Sequence, residues 1–204
     1  MQQLSLISQA EALTTGRVEN DYYPTPDGLV QSLLTQVSIE GTVLECCAGH
    51  GAISRFFPGC LTNEPFPQPS LVPDFQLDAT KRASWEQFGA VDWAVTNPPF
   101  SGAAEILPLA FQHAKKGAAF LLRLTYSEPC DDRAEWLQQH ADRQILYLPV
   151  SPRPQFKPGS KRDSATVAWF VWRKDWSWKR LGIPTPFAYD PHWKARASLR
   201  EVAA

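Results

Sequence analysis

Several features are missing from this sequence, and each absence closes a class of function. No apolar run approaches the ~20 residues needed to span a bilayer, and Ala118 to Leu122 is typical of the longest ones. The first residues, Met1-Gln2-Gln3-Leu4-Ser5, have no basic region and no apolar stretch, so no secretory signal is expected. Cysteine is scarce: four residues, at 46, 47, 60 and 130, with no CxxC pair and no Cys/His cluster. That spacing suits neither a zinc site nor a disulfide framework. Internal repeats and low-complexity tracts are also absent. The expectation is a cytoplasmic protein with reduced thiols, no metal and no membrane association.

The 204 residues suit one domain, and 44% hydrophobic against 20% charged residues is the balance of a chain that buries a core. The net charge of −1 conceals an asymmetry: residues 1–150 hold 9 Lys/Arg and 17 Asp/Glu, whereas residues 151–204 hold 11 and 4. A basic third on an acidic body suits a polyanion, because Lys and Arg near phosphates release condensed counterions. A solvated basic surface would look the same.

Periodicity and turn residues predict strands at 42–46, 61–64, 75–78, 91–96, 118–124, 144–148 and 166–172. Helical stretches fall at 27–37, 51–57, 80–88, 101–116 and 131–140. Alternation of the two predicts an α/β fold with a mostly parallel, doubly wound sheet and helices on both faces. The last two strands are joined by a Pro/Gly-rich loop (149–164) without a helix, so at least one strand should run antiparallel. Residues 175–204, with Trp176, Trp178 and Trp193 among basic residues, read as an irregular tail or short helix packed on a 1–174 domain.

Chemistry concentrates after the first and fourth strands. Glu45-Cys46-Cys47-Ala48-Gly49-His50-Gly51 puts glycines where a backbone can approach a ligand at the carboxyl edge of a sheet. Glu64, nineteen residues past Glu45, stands where an acid accepts from ribose hydroxyls. A full dinucleotide fingerprint would need a small residue where Ser54 stands, so a plain turn remains open beside an adenosine-containing cofactor. Asp78 reads equally as an acceptor for an adenine amine or as a cap for the stretch starting at Thr80. His50, inside the glycine turn, reads as a spacer rather than a base.

Asn97-Pro98-Pro99-Phe100 is the sharpest signal. Two prolines fix φ and remove two N–H donors, leaving a rigid loop that presents the Asn97 side-chain oxygen and the Pro98 carbonyl. Phe100 adds a ring beside them. A planar amine could donate both hydrogens to those acceptors while its ring stacks on the phenylalanine; a prolyl turn that only ends the strand is the bland alternative.

This loop resembles the catalytic motif of the amino-methyltransferases, and the span 21–172 resembles a class I S-adenosylmethionine-dependent DNA adenine-N6 methyltransferase. The resemblance implies a Rossmann-like, seven-stranded sheet with its last strand antiparallel. It assigns S-adenosylmethionine contacts to Tyr22, Tyr23, Pro24 and Thr25, to Glu45, Cys46, Ala48, Gly49 and Gly51 of the glycine turn, and to Glu64, Asp78 and Asn97. Asn97, Pro98, Pro99 and Phe100 become the catalytic loop. The loop 151–162 then borders the same pocket, with Phe156 covering the second face of an extruded base. Arg153, Lys157, Lys161 and Arg162 are expected to hold DNA phosphates. Base–aromatic stacking of about 1–3 kcal/mol matches the few kcal/mol spent on unstacking.

Sequence-specific members of this family usually carry a separate target-recognition region, and little room exists for one here. Loops 65–74 and 126–133, the basic loop and the tail are the spare segments. Specificity is therefore expected to be short or loose, or to come from a partner or second subunit. Methylation of RNA bases or of protein glutamine, and a catalytically silent nucleic-acid-binding module, are the competing readings. A nicotinamide-dependent oxidoreductase fits worst, because the fingerprint fails at Ser54.

Overall fold

The structure, a computed structural model, describes residues 24–128, 130–156 and 166–190. Its spine is β4 (Gly117–Arg123), whose first six residues are all buried. These six, Gly-Ala-Ala-Phe-Leu-Leu, form an unbroken run without a polar side chain because both faces of a central strand are covered. The other strands are β1 (Val43–Glu45), β2 (Leu61–Thr62), β3 (Trp93–Thr96), β5 (Gln144–Pro149) and β6 (Val167–Arg173). They form one six-stranded sheet in the order β2-β1-β3-β4-β6-β5. β1, β2, β3 and β4 are parallel, and β6 lies antiparallel to both β4 and β5.

Among the described residues the α-helices are α1 (Asp27–Leu34), α2 (Arg82–Trp85), α3 (Ala103–His113) and α4 (Ala134–His140). Where the sequence predicts a helix at 51–57, one 3-10 turn forms at Ser54–Phe56, and the stretch at 80–88 shrinks to the single turn of α2.

Period-two alternation sorts the core into two layers. Val167, Trp169 and Val171 of β6 join Val43, Trp93, Val95, Ala119 and Leu121 under α1. Ala168, Phe170 and Trp172 face the other way, with Leu44, Ala94, Phe120 and Leu122, under α2, α3 and α4. Helices therefore cover both faces. The indole Nε1–H of Trp169 donates to the Leu29 carbonyl at 2.7 Å across 140 residues of sequence, tying α1 to the sheet.

The expected seventh strand does not form. At 75–78 only Phe75 pairs, through an isolated parallel bridge to Asn63. Side chains replace the rest of the ladder. The Asn63 amide donates to the carbonyls of Cys46 and Leu77 and accepts from the Leu77 N–H, each at 2.9 Å, as a peptide unit would. Asp74 accepts from the N–H and hydroxyl of Thr62 at 2.8 and 2.9 Å. An edge closed by side chains presents few open backbone groups to another chain.

Beyond β6, residues 175–190 are irregular and lie against the start of β5. Asp142 accepts from the Ser177 hydroxyl at 2.6 Å and the Lys179 N–H at 2.9 Å, and the Trp178 indole donates to the Gln144 carbonyl at 2.7 Å. Among the described residues no helix is long and apolar enough to cross a membrane.

Candidate active site

In a parallel sheet the strand order reverses where ligands gather, outside the carboxyl ends of the strands. Here that point lies at β1 and β3, which are neighbours although β2 comes between them in sequence. Glu45 ends β1, Glu64 follows β2, Asn97 follows β3 and Arg123 ends β4. Four chemically active side chains thus leave one edge.

The glycine turn has φ of 56° at Gly49 and 75° at Gly51, values that disfavour other residues. Space is short as well: a Cβ on Gly51 would lie 3.1 Å from Ser54 Oγ and 3.3 Å from Leu71 Cδ1. Ala48 shapes the turn from inside, donating to the Asn63 carbonyl and accepting from the Gly51 N–H at 2.7 Å. Glu64, 7% exposed, spans the turn: Oε2 accepts from the Gly49 N–H at 2.8 Å and Oε1 from the Phe66 N–H at 3.1 Å.

Glu45 is 2% exposed, and its Oε2 accepts from the Ser54 N–H at 2.6 Å. Burial pushes its carboxyl up to about 8, against the pull of the Ser54 donors and with a smaller push from Glu64. A folded-state value above the ordinary 4.5 makes neutral Glu45 stabilising at low pH. That contribution is complete below about 4.5 and is lost as pH rises through about 8, at no more than roughly 1.4 kcal/mol per pH unit. Urea unfolding of the ligand-free protein at pH 5, 6.5 and 8 is expected to show stability falling with pH. Glu45→Gln should flatten the profile, and an unchanged slope in that variant would assign the dependence to another group.

Thr25 and Asn97 meet across 72 residues, the Asn97 Nδ2 donating to Thr25 Oγ1 at 3.1 Å. Thr25 is buried, 5% exposed. The bond points the Asn97 amide nitrogen at Thr25 and makes Oδ1 its acceptor end. Pro98 is buried, Pro99 half-buried, and the Pro99 carbonyl accepts from the Gly102 N–H at 3.0 Å where α3 begins. Phe100 is half-buried, with the Arg123 guanidinium 4.4 Å above its ring.

Other expected site residues fall differently. Asp78 is exposed, and its Oδ1 accepts from the N–H and hydroxyl of Thr80 at 2.9 and 2.7 Å, the local turn weighed against adenine binding. These bonds hold its carboxyl below the usual carboxylate range. The Cys46 side chain is buried in the core and its carbonyl is taken by Asn63, so only the path of its backbone serves the turn. Phe156 is 6% exposed and packs in the layer under α1, so its ring lies in the core beside the start of the basic loop. Arg153 is exposed beside a groove of about 780 Å³ between the start of α1 and residues 149–155. His50 is exposed, with Nδ1 2.6 Å from the Ser70 hydroxyl. Pro24 is exposed next to Thr25. Tyr22, Tyr23, Lys157, Lys161 and Arg162 lie outside the described residues. Among those described, no cluster of three or more His, Cys, Asp or Glu could hold a metal ion.

Two side chains at this edge carry no motif. Phe66 is 62% exposed, its own N–H bonded to Glu64, so a ring stands beside the acid. Its only sequence signal was an aromatic between two prolines just past that acid. Arg123 had none, because only strand pairing brings it to Phe100.

No protein-family model matches the chain, and no curated protein does. Solved structures do. A type I restriction enzyme modification subunit from Vibrio vulnificus superimposes with a TM-score of 0.59 at 13% identity, over 86% of this chain and 48% of that one. The M protein of the type I restriction enzyme EcoKI gives 0.56 at 12% identity, over 76% and 44%. The type I restriction-modification methyltransferase subunit of Streptococcus thermophilus gives 0.54 at 12% identity, over 76% and 45%. The chain spans about half the length of these proteins. At such identities the likeness is one of fold: a mixed α/β domain on a six-stranded sheet, similar to that of the restriction-modification methyltransferase subunits.

Proposed function

We propose that this chain is a cytoplasmic S-adenosylmethionine-dependent methyltransferase that modifies the N6 amino group of adenine in DNA. One observation carries the reading: Asn97-Pro98-Pro99-Phe100 leaves β3 at the same edge as Glu45 and Glu64, with the Asn97 amide oriented by Thr25. The 1–174 part is the catalytic domain and the 175–204 part a basic tail, of which residues 175–190 lie against the start of β5. The likeness of fold to restriction-modification methyltransferase subunits agrees with this reading.

The residues present fit the cofactor. Glu45 and Glu64 face the glycine turn, and residues 45–51 contain no Lys or Arg. A turn with no cation of its own, and with the Glu64 carboxyl bonded to it, would suit a nucleoside that carries a sulfonium cation and no phosphate better than a pyrophosphate. Glu64 would take the ribose hydroxyls, Phe66 would flank the nucleoside's base, and Gly49 and Gly51 would let the backbone approach. When bound, S-adenosylmethionine supplies the electrophilic methyl group.

The chain's own residues supply alignment. Asn97 Oδ1 and the Pro98 carbonyl accept the two hydrogens of the amino group and hold its nitrogen in line for attack. Those bonds make the nitrogen lone pair more available by drawing it out of conjugation with the ring. The nitrogen becomes acidic as it gains the methyl group and loses a proton to water, so no strong base is needed. Phe100 stacks the base, and Arg153 with Lys157, Lys161 and Arg162 would hold phosphates.

The test is methyl transfer from labelled S-adenosylmethionine to unmethylated DNA, with RNA and protein extract in parallel, followed by nucleoside mass analysis. N6-methyladenine in the DNA is the expected product. Label in RNA or protein would change the substrate, and no transfer to any acceptor would leave a nucleic-acid-binding module.

A further inference from the structure

Phe100 packs against the apolar layer that holds Phe156, and the planar guanidinium of Arg123 covers its ring at 4.4 Å. β3 and β4 pair in parallel with Thr96 beside Phe120, so Asn97 and Arg123 leave the same edge on neighbouring strands. Arg123 is exposed, and among the described residues its guanidinium makes no ion pair or hydrogen bond. A flat group that stacks on that face of Phe100 takes the place of the cation. Guanidinium planes stack nucleic-acid bases as aromatic rings do.

We propose that Phe100 and Arg123 are the two walls of the base slot, the base entering between ring and guanidinium and pushing Arg123 outward by one stacking distance. The inference rests on the reading of the chain as an adenine methyltransferase and names the second wall of that site. It gives to Arg123 the role that the sequence suggests for Phe156, whose ring is packed in the core. An exposed side chain can swing aside, whereas a ring packed in the core cannot do so without opening a cavity. Arg123 also closes the slot while no base is present, keeping the Phe100 ring out of water. Because the guanidinium lies in solvent, water screens its charge from the positive charge that develops on the amine. Stacking is indifferent to base identity, so the choice of adenine falls to Asn97 and Pro98.

The experiment compares wild type with Arg123→Ala, Arg123→Lys and Arg123→Phe. Steady-state transfer to unmethylated DNA is measured at saturating labelled S-adenosylmethionine, and cofactor affinity is measured by calorimetry. Arg123→Ala is expected to lose roughly ten- to a hundredfold in kcat/KM for DNA. Lysine, which keeps the charge but not the plane, should not rescue. Phenylalanine, which keeps the plane but not the charge, should return activity to within about threefold, with cofactor affinity unchanged throughout. Rescue by lysine and not by phenylalanine would make Arg123 a phosphate contact. Undiminished transfer by Arg123→Ala would make it a bystander, and a parallel loss of cofactor affinity would make its role structural. Each of these three results overturns the slot while leaving the methyltransferase reading in place. A wild-type chain that transfers no methyl group to DNA overturns that reading, and the slot with it.

Discussion

Asn97→Ala is expected to lower methyl transfer to DNA by about a hundred- to a thousandfold while S-adenosylmethionine affinity changes by only a few-fold. The magnitude is that of removing one preorganised hydrogen-bonding group aimed at the charge that develops in a transition state. Alanine at 97 removes the Oδ1 acceptor for the amine and the Nδ2 donor to Thr25, while Glu45, Glu64 and the glycine turn stay in place on their own strands. Binding and chemistry should therefore separate. Calorimetry with the cofactor, beside the transfer assay, measures both. Equal loss of the two would make Asn97 a support for Thr25 and the segment before α1, not a catalytic residue. Asn97→Asp sharpens the test: it keeps an acceptor but loses the donor to Thr25 and adds a negative charge. It should be inactive too, with the cofactor held no more weakly than in Asn97→Ala.

The largest effect on stability is expected far from the site, at Gly117. This residue opens β4, paired with Trp93 on one side and Arg173 on the other. A Cβ there would sit 2.3 Å from the Trp172 carbonyl oxygen and 2.7 Å from Trp93 Cζ3. The indole is fully buried and the carbonyl belongs to the neighbouring strand, so neither can give way without parting β4 from β6. Overpacking of a close-packed interior costs about 1–3 kcal/mol and occasionally more, and an overlap with backbone belongs at the upper end. Gly117→Ala is expected to lose about 3 kcal/mol, roughly 6–12 °C in Tm for a chain of this size. Differential scanning calorimetry reads the shift directly. A variant within 1 °C of wild type would mean that the strands separate at little cost. Gly28→Ala is a fitting control, because a Cβ there has nothing within 4 Å.

The two predictions draw on different parts of the information in the chain. Order and type of the main elements were legible in the sequence because they rest on local pattern. Apolar alternation marked the strands, Gly41 and the glycine turn bracketed β1, and the prolines after Asn97 ended β3. That at least one strand runs antiparallel followed from a Pro/Gly-rich stretch in which the sequence shows no helical pattern. The candidate acids were legible for the same reason, since strand ends are where a sheet of this kind binds ligands.

Other outcomes were settled at a distance. The 75–78 segment has strand-like residues, yet Asn63 and Asp74 take up its hydrogen bonds, and no local pattern shows that a side-chain amide will stand in for a neighbouring strand. Phe156 follows a basic, proline-rich stretch that reads as surface, but the layer under α1 had room for its ring, and burial in the core outweighed the bias of its neighbours. The carboxyl group of Glu45 carries no mark of its environment in the sequence; its shift follows from being enclosed at the end of a covered strand. Arg123 reaches Phe100, and Thr25 reaches Asn97, only through strand pairing and the seating of α1. Sequence by itself determined what alternates, what turns and which acids and amides stand at the strand ends, because those depend on neighbours in the chain. Tertiary structure alone decided which side chains are enclosed and which face one another, because burial and contact depend on residues far away in sequence.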